Sequence, residues 1–97
     1  MPRYIMLSTL GPEGSATMRE NPERLKAVNE EVESMGVRVV EQYALLGQYD
    51  FLNVLDAPDE VTIARVAMTL AARGTLKTLT LTAIPVDDFI AKMRGDQ

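Results

Sequence analysis

The residues best equipped for chemistry in this 97-residue chain meet at one tight turn, Gly47-Gln48-Tyr49-Asp50. Tyr49 joins an apolar ring to a hydroxyl, and Asp50 holds a carboxylate close to the backbone. Projected from a hairpin, the pair can grip a polar ligand or a neighbouring subunit. Arg24, near a helix start, is the best-placed anion ligand or ion-pair partner for such an acid. A structural account covers the same residues: Gly47 supplies a positive φ, Asp50 accepts backbone N–H bonds in an Asx-type arrangement, and Arg24 makes a surface salt bridge. The residue types alone admit both accounts.

Other lining groups with something to offer a ligand are Tyr4, Ser8 and Asn53, with Tyr43 and Arg38 beside them. What they lack is a base. The chain has no His, no Cys and no Trp, which removes an imidazole base, a thiolate nucleophile, disulfides, and Zn, Cu or haem centres built on Cys or His. A tyrosine titrating at about 10 is a poor base at neutral pH. An all-carboxylate Mg²⁺ or Ca²⁺ site is the one metal chemistry left open, and neither a metal nor a cofactor is expected. Gly11-Pro12-Glu13-Gly14 lacks the following Lys-Ser/Thr of a phosphate loop and reads as a turn. Met35, Met68 and Met93 fall on apolar helix faces and read as core filler.

Fourteen acidic against ten basic residues give a formal charge of −4, with the bases scattered. That argues against a nucleic-acid partner. No apolar run reaches the ~20 residues that span a bilayer, and Met-Pro-Arg-Tyr-Ile-Met is no signal peptide. The expectation is a soluble, cytoplasmic, single domain over residues 1–97. A chain this short buries only about 60–70% of its unfolded surface, so association with another chain would help complete its core.

The elements that must position these residues follow from periodicity and punctuation. Arg3 to Leu10 alternates as a strand and stops at Gly11-Pro12; the pattern from Glu13 to Glu20 is mixed. Asn21-Pro22-Glu23 predicts a helix start with Asn21 as N-cap, carrying Leu25, Val28, Val32 and Met35 to a stop at Gly36. The acids Glu23, Glu30, Glu31 and Glu33 on its other side read as a solvated face. Val37–Leu46 and Phe51–Asp56 are strands joined by Gly47–Asp50, a loop that forces an antiparallel hairpin. Pro58-Asp59-Glu60 opens a second helix with a stripe of Val61, Ala64, Ala67, Met68 and Ala71, ending at Arg73-Gly74. Leu76–Ala83 is the fourth strand, and Val86, Phe89, Ile90 and Met93 mark a short amphipathic helix with a frayed tail from Gly95.

The order is an α+β, ferredoxin-like β-α-β-β-α-β with a C-terminal helix, its four-stranded antiparallel sheet running 4-1-3-2 by right-handed crossovers. With Ile5, Leu7, Leu52, Val54, Leu79 and Leu81 assigned to the helices, the uncovered face carries Tyr4, Met6, Ser8, Phe51, Asn53, Leu55, Thr78, Thr80 and Thr82. A second copy packing sheet to sheet would bury that semi-polar face, predicting a homodimer or larger assembly with Thr80 in the interface.

Leu46-Gly47-Gln48-Tyr49-Asp50-Phe51 followed by Ala57-Pro58-Asp59 resembles the signature of the GYD-domain family. Tyr4, Leu7, Glu13-Gly14, Asn21-Pro22-Glu23-Arg24-Leu25, Gly74, Lys77-Thr78 and Leu81 also sit where that family has similar residues. The chain differs in Gln48, Thr75 and Ile84, where the family commonly has an acid, an Asn and an aromatic. The resemblance implies a ferredoxin-like fold of the dimeric α/β-barrel type, in small bacterial or archaeal proteins of mostly unassigned role. The same Gly-x-Tyr-Asp hairpin is similar to one in the ligand-binding domains of Lrp/AsnC regulators, where it lies near an effector pocket between subunits. With no helix-turn-helix ahead of the first strand, that likeness implies a stand-alone small-molecule-binding module.

Three functions stay open at this point. A homo-oligomeric module that binds or senses a small molecule comes first, with Gly47, Tyr49, Asp50, Arg24, Tyr4, Ser8 and Asn53 as its candidate residues. A ligand-free assembly protein is second. A cofactorless oxygenase- or isomerase-type barrel enzyme, disfavoured by the missing His and Cys, is third.

Overall fold

Alternating β-formers carry β1 through Arg3–Leu10, as expected. In the computed structural model, which describes residues 1–95, the chain continues through α1 (Pro12–Glu20), α2 (Arg24–Ser34), β2 (Arg38–Ala44), β3 (Phe51–Asp56), α3 (Glu60–Ala71), β4 (Leu76–Ala83) and α4 (Val86–Met93). The strands form one antiparallel sheet in the order β2-β3-β1-β4, which is 4-1-3-2 read from its other edge. This is the α+β, ferredoxin-like arrangement. Beyond Gly95, the tail expected to fray lies outside the described residues. Among those described, no helix is long and apolar enough to cross a membrane.

The Gly11–Gly14 segment is not a free turn but the start of α1. Pro12 occupies the first turn, where its missing N–H has no partner to lose, and Glu13 complements the helix dipole. Gly11 N–H donates to the Thr75 carbonyl at 2.9 Å. A Cβ on Gly14 would stand 2.4 Å from that same oxygen, so glycine is what lets α1 lie against the start of β4. Asn21 does not cap α2; its N–H donates to Thr17 O at 2.7 Å and closes α1, and α2 begins after Glu23. Gly36 and Gly74, at φ 93° and 72°, end α2 and α3 where expected.

β2 is shorter than the predicted Val37–Leu46, because its pairing with β3 begins only at Arg38, opposite Asp56, and ends at Ala44, opposite Phe51. The hairpin therefore spans Leu45–Asp50 and is closed by Leu45 N–H donating to Asp50 O at 2.7 Å. Val39 pairs with Leu55 and Glu41 with Val54, so Val40 is an extra residue that bulges out of β2.

The two faces of the sheet are reversed from expectation. Tyr4, Met6 and Leu55 join Val32, Val37, Ala57, Ile63, Val66 and Leu70 in the core, with Ser8, Asn53 and the Thr78-Thr80-Thr82 row on the same, helix-covered side. Ile5, Leu7, Leu52, Val54, Leu79 and Leu81 face away, with Leu79 and Leu81 still 45% and 48% exposed. Alternation tells which residues share a face, not which face the helices choose; both were apolar enough to be covered. The choice follows the polar groups. Asn53 and Gln42, cross-strand partners, find a third amide on α2, a pairing the aliphatic face has no means to provide.

α3 also turns otherwise than predicted. Ile63, Val66 and Leu70 are buried, Ala67 packs at their margin, and Val61 and Met68 are exposed. Larger aliphatic residues at the same helical spacing displaced the alanine-rich stripe. Met68 and Met93 are consequently not core filler, whereas Met6 is. Asp59 caps α3 by accepting from Thr62 N–H at 2.8 Å. α4 buries none of its residues, leaving Val86, Phe89, Ile90 and Met93 exposed.

Candidate functional site

The hairpin residues separate into different roles. Asp50 is a clamp: its N–H donates to Ser8 O at 2.8 Å and its Oδ2 accepts from Leu10 N–H at 2.7 Å. The expected Asx-type capture of an amide occurs, but across to β1 rather than within the turn. Gly47 has φ 152° with open space around it, and Tyr49 is half-buried. Arg24 makes no ion pair with Asp50; it is exposed at the start of α2.

Arg24 instead stands with Ser8 and Asn53 around a cavity of about 220 Å³ between the sheet and the helices. Met6, Val66 and Leu70 form the buried floor, while the exposed lining residues Thr17, Arg24 and Arg73 mark its opening. Ser8 is 6% exposed on the β1 wall. An amide chain crosses the cavity's side. Asn29 Nδ2 donates to Gln42 Oε1 at 2.8 Å, Gln42 Nε2 donates to Asn29 Oδ1 at 3.1 Å and to Asn53 Oδ1 at 2.6 Å, and Asn53 Nδ2 donates to Met6 O at 3.2 Å. Gln42 thus spends both its protons, whereas Asn29 and Asn53 each keep one N–H spare.

Arg73, at the rim, pairs with Glu31 of α2 and holds that carboxyl below its ordinary range. Among the described residues, the ionisable side chains lining the cavity are those of Arg24 and Arg73. Tyr4 is elsewhere: 3% exposed, it lies against α3 beside Ile63 and Thr80. Burial first, then the charges of Glu60 and Asp59, push its phenol up, which makes it a still poorer base. Thr80 Oγ1 is buried beside it without a hydrogen-bond partner among the described residues. Among the described residues, no three His, Cys, Asp or Glu side chains are grouped to hold a metal ion.

Of the seven candidate residues the structure therefore unites Arg24, Ser8 and Asn53, places Tyr4 in the core, and leaves Gly47, Tyr49 and Asp50 in the hairpin outside the cavity. Asn29 and Gln42 were missed. A signal existed: Asn29 lies four residues after Leu25 and three before Val32, a polar interruption of the apolar stripe of α2.

A family model described as GYD domain matches residues 4–93. A protein of Thermus thermophilus named "Glutamine synthetase and cystathionine beta-lyase binding protein" is 56% identical over 95 residues, covering 97% of this chain and 100% of the relative. Two solved structures share the fold. One, titled "crystal structure of FFRP-DM1", has a TM-score of 0.60 at 21% identity and covers 87% of this chain and 100% of its own. The other, of TTHA0845 from Thermus thermophilus, has a TM-score of 0.56 at 22% identity, covering 88% and 95%.

Proposed function

The chain belongs to the GYD-domain family, and on that premise we propose that it is a small self-associating module whose work is to bind other proteins. The observation that carries this reading is the uncovered sheet face. Ile5 and Leu7 pair across to Val54 and Leu52 on one side and to Leu81 and Leu79 on the other, a continuous aliphatic block with no helix over it. At ordinary strand spacing and rise such a sheet presents about 500 Å² of face, at the upper end of what a monomer leaves apolar, where such patches are often contact surfaces. A stable homodimer buries about 800 Å² per partner, so side chains beyond this face would have to join the contact, and the exposed Val86, Phe89, Ile90 and Met93 of α4 are available for it. The occupant is a second copy of the chain, meeting sheet to sheet in the manner of a dimeric α/β barrel.

The enzyme partners are proposed from the Thermus relative, whose name assigns it glutamine synthetase and cystathionine β-lyase. The contact with an enzyme would use the outer surface of the dimer. Biolayer interferometry of the full chain against each purified enzyme from its own organism tests this. Saturable binding to either one is expected, and absence of binding to both would overturn the protein-binding reading.

A second reading, small-molecule binding, is favoured by one observation: Arg24, Ser8 and Asn53 stand around a single cavity.

A further inference from the structure

Resting on that second reading, we propose that the cavity takes a small organic anion: an apolar body seated on Met6 and Leu70, its carboxylate held at the opening by Arg24.

Size comes first. At about 220 Å³ the space exceeds the ~150 Å³ apolar cavity that accepts benzene, so a single ring or a branched aliphatic body fits. Packed interiors hold few voids larger than a water molecule, and an empty one costs stability in proportion to its volume. A ligand's apolar body would restore the missing contacts.

Charge decides the head group. The chain has 14 acidic residues against 10 basic, yet among the described residues the only ionisable side chains lining the cavity are two arginines. Arg73 is neutralised by Glu31. Arg24 is in no ion pair among the described residues; Glu31 feels its charge from a distance but does not engage its N–H groups, so the guanidinium is available for a bidentate grip on a carboxylate. A ligand bearing an ammonium group would find no carboxylate in the lining, which sets free amino acids and amines apart from simple acids. The spare N–H of Asn29 and of Asn53 can donate to a second oxygen on the ligand.

The methionines make the test direct, because Met6 and Met18 line the cavity while Met68 and Met93 lie on the outer surface. The full-length chain, labelled with methyl-¹³C-methionine, would be titrated with 3-phenylpropionate and separately with its neutral amide. The expected result is movement of the Met6 and Met18 methyl signals with Met68 and Met93 unmoved, and tighter binding of the acid. Arg24→Gln, at an exposed position, should weaken the acid about tenfold and leave the amide unchanged. If neither probe moves Met6 or Met18, the small-molecule reading itself fails. If both bind alike, or if Arg24→Gln weakens neither, the cavity is a site but the anion assignment is wrong. Movement confined to Met68 or Met93 would place the binding outside and overturn the proposal.

Discussion

The Asp50 carboxylate accepts the backbone N–H of Leu10 at 2.7 Å, tying the hairpin to a strand forty residues earlier in the chain. Leu10 is the last residue of β1, two residues past the point where the β1–β3 register ends at Ser8 and Phe51. The side chain thereby does what one more residue of β3 would do. Replacing it, Asp50→Ala, should cost about 1–3 kcal/mol, the usual penalty for orphaning a part-buried amide. Urea unfolding followed by circular dichroism measures it. Unchanged stability would show that solvent satisfies Leu10 equally well.

Tyr49 provides the contrast. It is half-buried and makes no side-chain hydrogen bond among the described residues, so Tyr49→Ala is expected to leave the fold intact while weakening any contact made by the hairpin. A global loss of stability in the same urea experiment would assign the ring to the core.

Neighbouring residues of β4 separate folding from assembly. Leu81 belongs to the open face and Thr80 to the covered one. Leu81→Lys should give a folded monomer by light scattering at micromolar concentration, since an ammonium would sit unpaired between two sheets. Thr80→Lys should instead unfold the chain, because it drives a charge against α3. A dimer that survives Leu81→Lys would show that copies meet elsewhere.

Gly14→Ala tests the contact of α1 with the β4 start. The new methyl would come within 2.4 Å of a backbone oxygen, which cannot rotate away. Overpacking of this kind costs about 1–3 kcal/mol. A lowered thermal midpoint is the expected outcome.

Acid should loosen the molecule at a named place. Arg3 donates from Nε and Nη2 to Asp56 at 2.9 and 3.2 Å, and this hydrogen bonding, with the charges of Arg3, the N-terminus and Arg38, holds the Asp56 carboxyl below its ordinary range despite opposing burial. Glu31 is lowered likewise by Arg73. A depressed carboxylate stabilises the fold fully above its unfolded value and loses that contribution as pH falls through the folded one. Melts at descending pH should therefore show a fall in stability beginning near about pH 4. Asp56→Asn should start lower at neutral pH and fall less. Equal slopes for the two proteins would remove Asp56 as a cause.

The strands, the C-terminal ends of α2 and α3, and the hairpin were legible because each rested on local chemistry: alternation in Leu76–Ala83, Gly36 and Gly74 after the helices, a short link between two strands; the strand order then followed from the handedness of the crossovers. The family signature was equally plain in Gly47–Asp50. The orientation of the sheet was not legible, since Ile5-Leu7 and Tyr4-Met6 are both fit to be buried and only the amides of Asn29, Gln42 and Asn53, meeting in space, decide between them. α1 was missed for a similar reason. Its helical character is weak, with Gly14 inside it, and the glycine makes sense only once Thr75 is seen above it. The cavity followed the same rule: Arg24, Ser8 and Asn53 could be named singly, but their meeting point lies on the side of the sheet opposite to the one expected.

The extra residue at Val40 makes the two rims of the sheet unequal. β4 offers an unbroken eight-residue backbone edge, whereas β2 is interrupted midway, so its free N–H and C=O groups lack the spacing a flat incoming strand requires. Endless ribbon growth needs a usable rim on both sides. With one rim spoiled, edgewise addition of copies has no second flat edge on which to continue, so the bulge guards the sheet against ribbon growth.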